Sequence, residues 1–144
     1  MSRHTPCIFC EIVSGRSPAS IVFENQDILA LMNLRQANPG HVLVIPKKHV
    51  TFLYELDPLL AGELFRCVAV VARAIQERFH PDGLTVWQSN GSAAGQEIPH
   101  VHVHLLPRKT GDRHVSFYPD IPPIMERRQL DALAVDLKNY IRWD

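Results

Sequence analysis

Apolar positions along the chain change their spacing several times, and each change marks an element. Ile21-Val22-Phe23-Glu24 and Ile28-Leu29-Ala30-Leu31-Met32 are short apolar runs separated by Asn25-Gln26-Asp27, a pattern that predicts a β-hairpin. Asn38-Pro39-Gly40 is turn chemistry. It is followed by His41-Val42-Leu43-Val44-Ile45, a β-branched strand ended by Pro46. Asp57-Pro58 supplies a capping residue and then a proline at the first helical position. Beyond it Leu60, Leu64, Cys67, Val68, Val71, Ile75 and Phe79 recur mostly at steps of three and four, one apolar face of a long helix. His80-Pro81-Asp82-Gly83 stops that helix. Residues 84–88 and 101–106 predict two further strands, the second closed by Pro107. A loop of small residues over 90–96 lies between them. Leu130, Leu133, Ala134, Leu137 and Ile141 mark a C-terminal helix over about 125–142. Strands, a helix, strands and a helix in that order favour an α+β domain with an antiparallel sheet over a parallel βαβ layout.

Composition narrows the class without naming a function. The chain has 144 residues, 46% hydrophobic and 21% charged, enough to bury a core as a single domain over 1–144. Fifteen Lys plus Arg against fifteen Asp plus Glu leave a formal net charge of zero. Such a balance gives no global drive toward nucleic acid or a membrane surface. The N-terminal residues carry no signal-like apolar run, and no stretch reaches the length of a membrane span, so the expectation is a cytoplasmic protein. Three cysteines, Cys7, Cys10 and Cys67, make a poor disulfide framework and suit a reducing compartment. Cys67 falls on the helical apolar face and reads as core. Cys7 and Cys10 form a Cys-x-x-Cys pair, two thiolates whose spacing suits zinc once two more ligands are found, or two unligated thiols in a short loop.

The strongest chemical signal is His100-Val101-His102-Val103-His104-Leu105-Leu106. Side chains alternate along a strand, so the three histidines share one face and the valines the other. The valines then face a core, and the histidines a cleft or solvent. One reading is a polar strand face that is merely rich in histidine. A second is a catalytic metal site, but His100 and His104 would stand roughly 13 Å apart along the strand, too far for one ion to hold all three. A third is phosphoryl transfer. Neutral imidazole is plentiful near pH 7, with a reference pKa of about 6.5. It can attack phosphorus and later be released by water, while flanking histidines hold the phosphate oxygens.

These residues resemble the histidine-triad (HIT) family, whose name comes from the pattern His-φ-His-φ-His-φ-φ. Cys7-Ile8-Phe9-Cys10, Asn33, the run from Pro39 to His49, and Gly95-Gln96 look like the family's other landmarks in the right order. No motif covers the chain beyond Arg113. The resemblance implies a HIT-like α+β fold, with about five antiparallel strands, one long packed helix and a C-terminal helix, and a homodimer. It also implies an enzyme cleaving a nucleotide at its α-phosphate, on an adenosine phosphoramidate or a dinucleoside polyphosphate. His102 matches the nucleophile, His104 a phosphate-binding histidine, His100 the first triad residue and His41 the buried supporting histidine. Asn33 falls where the family holds the ribose, with Leu31 and Leu34 flanking the base. Ser89, Asn90 and Gln96 fall where the phosphates or leaving group are met.

By the same resemblance, His49 and His100 complete a structural Zn²⁺ site with Cys7 and Cys10, a form typical of bacterial members. Its closed shell would leave no position for catalytic water. Two positions depart from the pattern: Ser89 stands where many relatives have Asn or Gln, and Glu97 where they have Ser or Thr. Pro107-Arg108-Lys109 looks more like the dinucleoside polyphosphate branch. Lys47, Lys48, Arg108, Lys109 and Arg113 read as exposed charges near the cleft that could attract a second nucleotide. A zinc-dependent hydrolase using His100 and His102, and a nucleotide-binding module with little turnover, remain alternatives.

Overall fold

The structure, a computed structural model, describes residues 6–114, 118 and 120–143. The chain falls into two compact units, Met1–Asp112 and Arg113–Asp144. In the first unit, α1 (Ile8–Val13) precedes the hairpin of β1 (Ile21–Glu24) and β2 (Ile28–Met32). Then come β3 (Val42–Pro46), a 3-10 turn (Leu53–Glu55), α2 (Pro58–Phe79), β4 (Gly83–Trp87), a second 3-10 turn (Ser92–Ala94) and β5 (Val103–Arg108). The second unit contains α3 (Arg127–Lys138), shorter at both ends than the spacing predicts. Every side chain of α3 is exposed, Leu130, Leu133 and Leu137 included.

The five strands form one sheet in the order β1-β2-β3-β5-β4, with every neighbouring pair antiparallel. The predicted hairpin is present. Asn25 closes its turn by accepting hydrogen bonds from the Asp27 and Ile28 amides at 2.9 and 2.8 Å. β2 and β3 are apolar at every position because both of their faces are covered. Ile28, Ala30, Val42 and Val44 pack toward α2, whose buried stripe is Leu64, Cys67, Val68, Val71 and Ile75. Leu29, Leu31, Leu43 and Ile45 pack the other way, against Phe9 of α1. α2 starts where Asp57 Oδ1 accepts from the Leu59 and Leu60 amides at 2.9 and 3.3 Å. It ends at His80, which adopts a left-handed conformation.

Two elements differ from expectation. The last strand begins at Val103 rather than at 101 and runs through Pro107 to Arg108. Val101 is instead held by its amide donating to the Val50 carbonyl at 2.8 Å. Pro107 is tolerated because the β3 ladder reaches only Leu105; past that point β5 pairs with β4 alone, and a missing N–H leaves no central ladder incomplete. The second difference is α1, which the sequence reading leaves as a loop. Its six residues are too few to show a helical period.

One polar knot closes the first unit. Arg108 is paired with Asp112, its Nε reaching Oδ2 at 2.9 Å, and its Nη1 lies 3.1 Å from Thr85 Oγ1. Asn38 donates to Asp112 and to the Pro107 carbonyl at 2.8 and 2.9 Å. Among the described residues, no helix is long and apolar enough to cross a membrane.

The turn before β3 is tight. Gly40 has φ +109°, and an added Cβ would stand 2.9 Å from the Phe79 ring and 3.0 Å from Pro107. Gly40→Ala is therefore expected to destabilise the protein by more than about 1 kcal/mol, measured as a lowered midpoint in urea unfolding.

Candidate active site and metal centre

β5 and the residues leading into it sort their side chains to two sides. Val101, Val103 and Leu105 join the core beneath α2. His100, His102 and His104 take the opposite face, as the alternation predicts. There the histidines are not solvent-facing: His100 is fully buried, and His102 and His41 are only 7% and 6% exposed. Phe9 of α1 covers them, its ring edge-on to His100 and His102 at 5.6 and 5.2 Å between centroids. Burial disfavours the charged imidazolium. It holds His100 down to about 4 and His104 to about 3, and lowers His102 and His41 as well. All four rings are neutral near pH 7.

Hydrogen bonds then select which nitrogen carries the proton. His102 Nδ1 lies 2.7 Å from the His100 carbonyl oxygen. A carbonyl only accepts, so Nδ1 is the protonated nitrogen and Nε2 keeps a free lone pair. His100 Nε2 lies 2.7 Å from the Pro46 carbonyl, and by the same reasoning its Nδ1 lone pair is free. His104 Nδ1 stands 3.0 Å from His41 Nε2. Its ring lies parallel to the indole of Trp87, with centroids 4.2 Å apart.

The free Nδ1 of His100 meets three other donors. His49 Nδ1 lies 3.2 Å from it, Cys7 Sγ 3.4 Å and Cys10 Sγ 3.7 Å, while Cys10 Sγ is 3.3 Å from His49 Nδ1. A tetrahedral ion with metal–nitrogen bonds of about 2.0 Å and metal–sulfur bonds of about 2.3 Å requires N–N edges of about 3.3 Å and N–S edges of about 3.5 Å. The four residues fit. All four donor atoms lie within 4.8 Å of one another, and the Pro46 carbonyl fixes the ring of His100 from behind. Burial, the nearby Cys7 and the charge of Glu11 push the Cys10 thiol up, a penalty that a bound cation would reverse.

The other expected site residues are placed around two clefts. Leu31, Asn33 and Leu34 line an apolar cleft of about 360 Å³ together with Ile8, Phe9 and Leu43. Leu31 is buried in its floor and Leu34 is 97% exposed at its rim. Asn33 Nδ2 stands 3.1 and 3.3 Å from the two ring nitrogens of His41. Gln96 and Asn90 are engaged within the protein. Gln96 accepts from the Gly91 amide and donates to the Thr51 carbonyl, both at 2.7 Å. Asn90 accepts from the Leu53 amide at 2.7 Å and exchanges bonds with Gln88. The Ser89 carbonyl accepts from Gln88 at 3.2 Å. Glu97 is exposed, and its charge favours the cationic form of His102 against the effect of burial. Two of the expected free cations are engaged: Lys47 pairs with Glu24 at 3.2 Å, and Arg108 with Asp112.

Sequence reasoning does not find Phe9 or Trp87. Their roles depend on the placement of α1 and on the register that sets Trp87 opposite His104.

A family model described as the HIT domain matches residues 14–111. The chain belongs to the HIT family. Similar chains span nearly its whole length. A HIT family protein from Bacillus anthracis superposes with a TM-score of 0.86 at 32% identity, covering 96% of this chain and 99% of that one. A zinc-bound histidine triad family protein from Mycobacterium smegmatis gives 0.71 at 36% identity, covering 94% and 97%. A relative from Schizosaccharomyces pombe, named adenosine 5′-monophosphoramidase, is 31% identical over 94% of this chain and 98% of its own.

The stack on Trp87 is one source of the dry surroundings of His104. In Trp87→Ala the His104 ring gains solvent, and its titration is expected to move up from about 3 toward the ordinary 6.5. NMR titration of the imidazole protons measures this directly.

Proposed function

We propose that this HIT protein is a nucleotide hydrolase that cleaves at the α-phosphate of a nucleoside phosphoramidate or dinucleoside polyphosphate through a covalent nucleotidyl-histidine on His102. The observation that carries the reading is the bond from His102 Nδ1 to the His100 carbonyl, which keeps Nε2 unprotonated. Nε2 attacks the α-phosphorus, and the bond to the leaving group breaks with its electron pair. Water then attacks the same phosphorus, the P–Nε2 bond breaks, and the nucleoside 5′-monophosphate departs. His104, oriented by His41 and Trp87, binds a phosphate oxygen.

The apolar cleft takes the base, adenine being the expected one, between Leu31 and Leu34, with Asn33 at the ribose. Ser89, Asn90 and Gln96 act by shaping the loop whose amides meet phosphate. The name of the yeast relative supports a phosphorus–nitrogen substrate. His102→Ala should lower kcat by about 10³-fold or more, as expected when a covalent nucleophile is lost, and still bind AMP. Rapid quench with labelled nucleotide should trap an acid-labile adduct on His102. Wild-type turnover in the variant, or label on another residue, rejects the covalent route.

We also propose that the four-donor site holds one structural zinc per chain, as the zinc-bound mycobacterial relative suggests, and that the protein is a cytoplasmic homodimer. Bound there, zinc would supply cross-linking rather than reaction chemistry, because its four ligands fill the coordination sphere. Cys7→Ser with Cys10→Ser should remove the metal and lower Tm, at about 4 °C per kcal/mol lost for a domain of this size. Substantial kcat should survive at low temperature. Unchanged Tm with abolished activity would instead favour a zinc-dependent hydrolase.

A further inference from the structure

Access separates the three cysteines. Cys67 is buried on the core face of α2. Cys7 and Cys10 are only partly buried, and Cys7 lines a cleft of about 440 Å³ together with His49, Thr51 and Pro99. The sulfurs of Cys7 and Cys10 lie within 4.8 Å of each other. Both residues belong to one helical turn, in which the Glu11 amide donates to the Cys7 carbonyl at 3.0 Å. Residues three apart in such a turn have Cα atoms about 5 Å apart, inside the range of about 4.4 to 6.8 Å that a disulfide spans. α1 also joins this pair to the apolar cleft, which Ile8, Phe9 and Ile12 line. Phe9 stands between the two cysteines in sequence, its ring edge-on to His100 and His102.

We propose that Cys7 and Cys10 form a redox latch: a hydroperoxide converts them to a disulfide, the four-donor site is dismantled, and α1 loses its hold on the wall of the apolar cleft. The sulfur chemistry stands on the cysteine pair and the metal centre; only the effect on the cleft rests on the base-binding reading above. The Cys7 thiolate, reached through its cleft, attacks one oxygen of hydrogen peroxide. The O–O bond breaks, hydroxide leaves, and Cys7 carries a sulfenic acid. The Cys10 thiolate attacks that sulfur, the S–O bond breaks, and a second hydroxide leaves. The two sulfurs have given two electrons to the peroxide, and two protons turn the hydroxides into water. His49 and His100 then remain, two ligands where a tetrahedral zinc needs four. α1, a helix of six residues and marginal by itself, is left fastened by the packing of Phe9 and its apolar neighbours alone. A thiol reductant reopens the disulfide, and the site can be refilled.

The test treats the zinc-reconstituted full-length protein with stoichiometric hydrogen peroxide. Zinc reaching a chromogenic chelator should rise in step with the loss of Cys7 and Cys10 thiols, one ion per disulfide. Peptide mapping should join Cys7 to Cys10 and find Cys67 still open to alkylation after unfolding. Calorimetry should show AMP binding weakened at least about fivefold, the low end of coupling between sites. Dithiothreitol with added zinc should restore both. In Cys10→Ser, dimedone should capture the sulfenic acid on Cys7. A chain that takes up no zinc, zinc retained with both thiols reduced, a disulfide through Cys67, or no dimedone on Cys7 overturns the latch. So does zinc loss that dithiothreitol cannot reverse. Zinc lost with unchanged AMP affinity overturns the link to the cleft. A reduced, zinc-loaded protein that does not bind AMP overturns the base-binding reading and leaves the disulfide result standing.

Discussion

His100 is the side chain on which the rest of the site depends, because it makes three connections while fully buried. Its Nε2–H donates to the Pro46 carbonyl at the end of β3. Its Nδ1 faces Cys7, Cys10 and His49. Its own carbonyl receives the Nδ1–H of His102. A buried imidazole with an unpaired donor is costly, and here none is left unpaired. The same bonds fix the tautomers of two neighbouring histidines. The orientation of the proposed nucleophile is therefore set by the backbone of a residue whose side chain belongs to the proposed metal centre.

Burial gives the four histidines a shared charge state. In a solvated cluster, protons would be exchanged among closely spaced imidazoles and their charges would repel. Phe9, Trp87 and the sheet remove water, and each ring is held neutral below its ordinary titration range. Neutral imidazole is the nucleophilic form. The low dielectric that secures it would also strengthen contacts to the phosphate oxygens of the proposed substrate.

Much of this is legible in the sequence, and the gaps have physical causes. The period of α2 and its Asp57-Pro58 start predict that helix within a residue because caps and packing agree. The alternation through 100–104 places the triad on one face without any structure. The limits of β5 are not readable, because what ends a strand here is the reach of its neighbour and not Pro107 itself. The depth of the histidines depends on α1, too short to signal itself. Cys7 and Cys10 suggest a metal, but their partners come only from the family resemblance. Asn90 and Gln96 look like free polar groups in a small-residue loop. Their acceptors and donors at Leu53, Thr51 and Gly91 come from parts of the chain that only folding brings near.

The spread of the four donors along the chain has a kinetic meaning. Cys7 and His100 are separated by 93 positions, and Cys10 and His49 by 39. An ion joining them would close loops spanning most of the first unit. The entropy of closing such loops grows only slowly with their length, so the metal would act much as a disulfide does, restricting the unfolded chain. Unlike a disulfide it can assemble in a reducing compartment, and only after His100, just ahead of the last strand, has emerged. During synthesis the first helix would wait, the thiols at its start without their histidine partners, until His100 arrives to hold it.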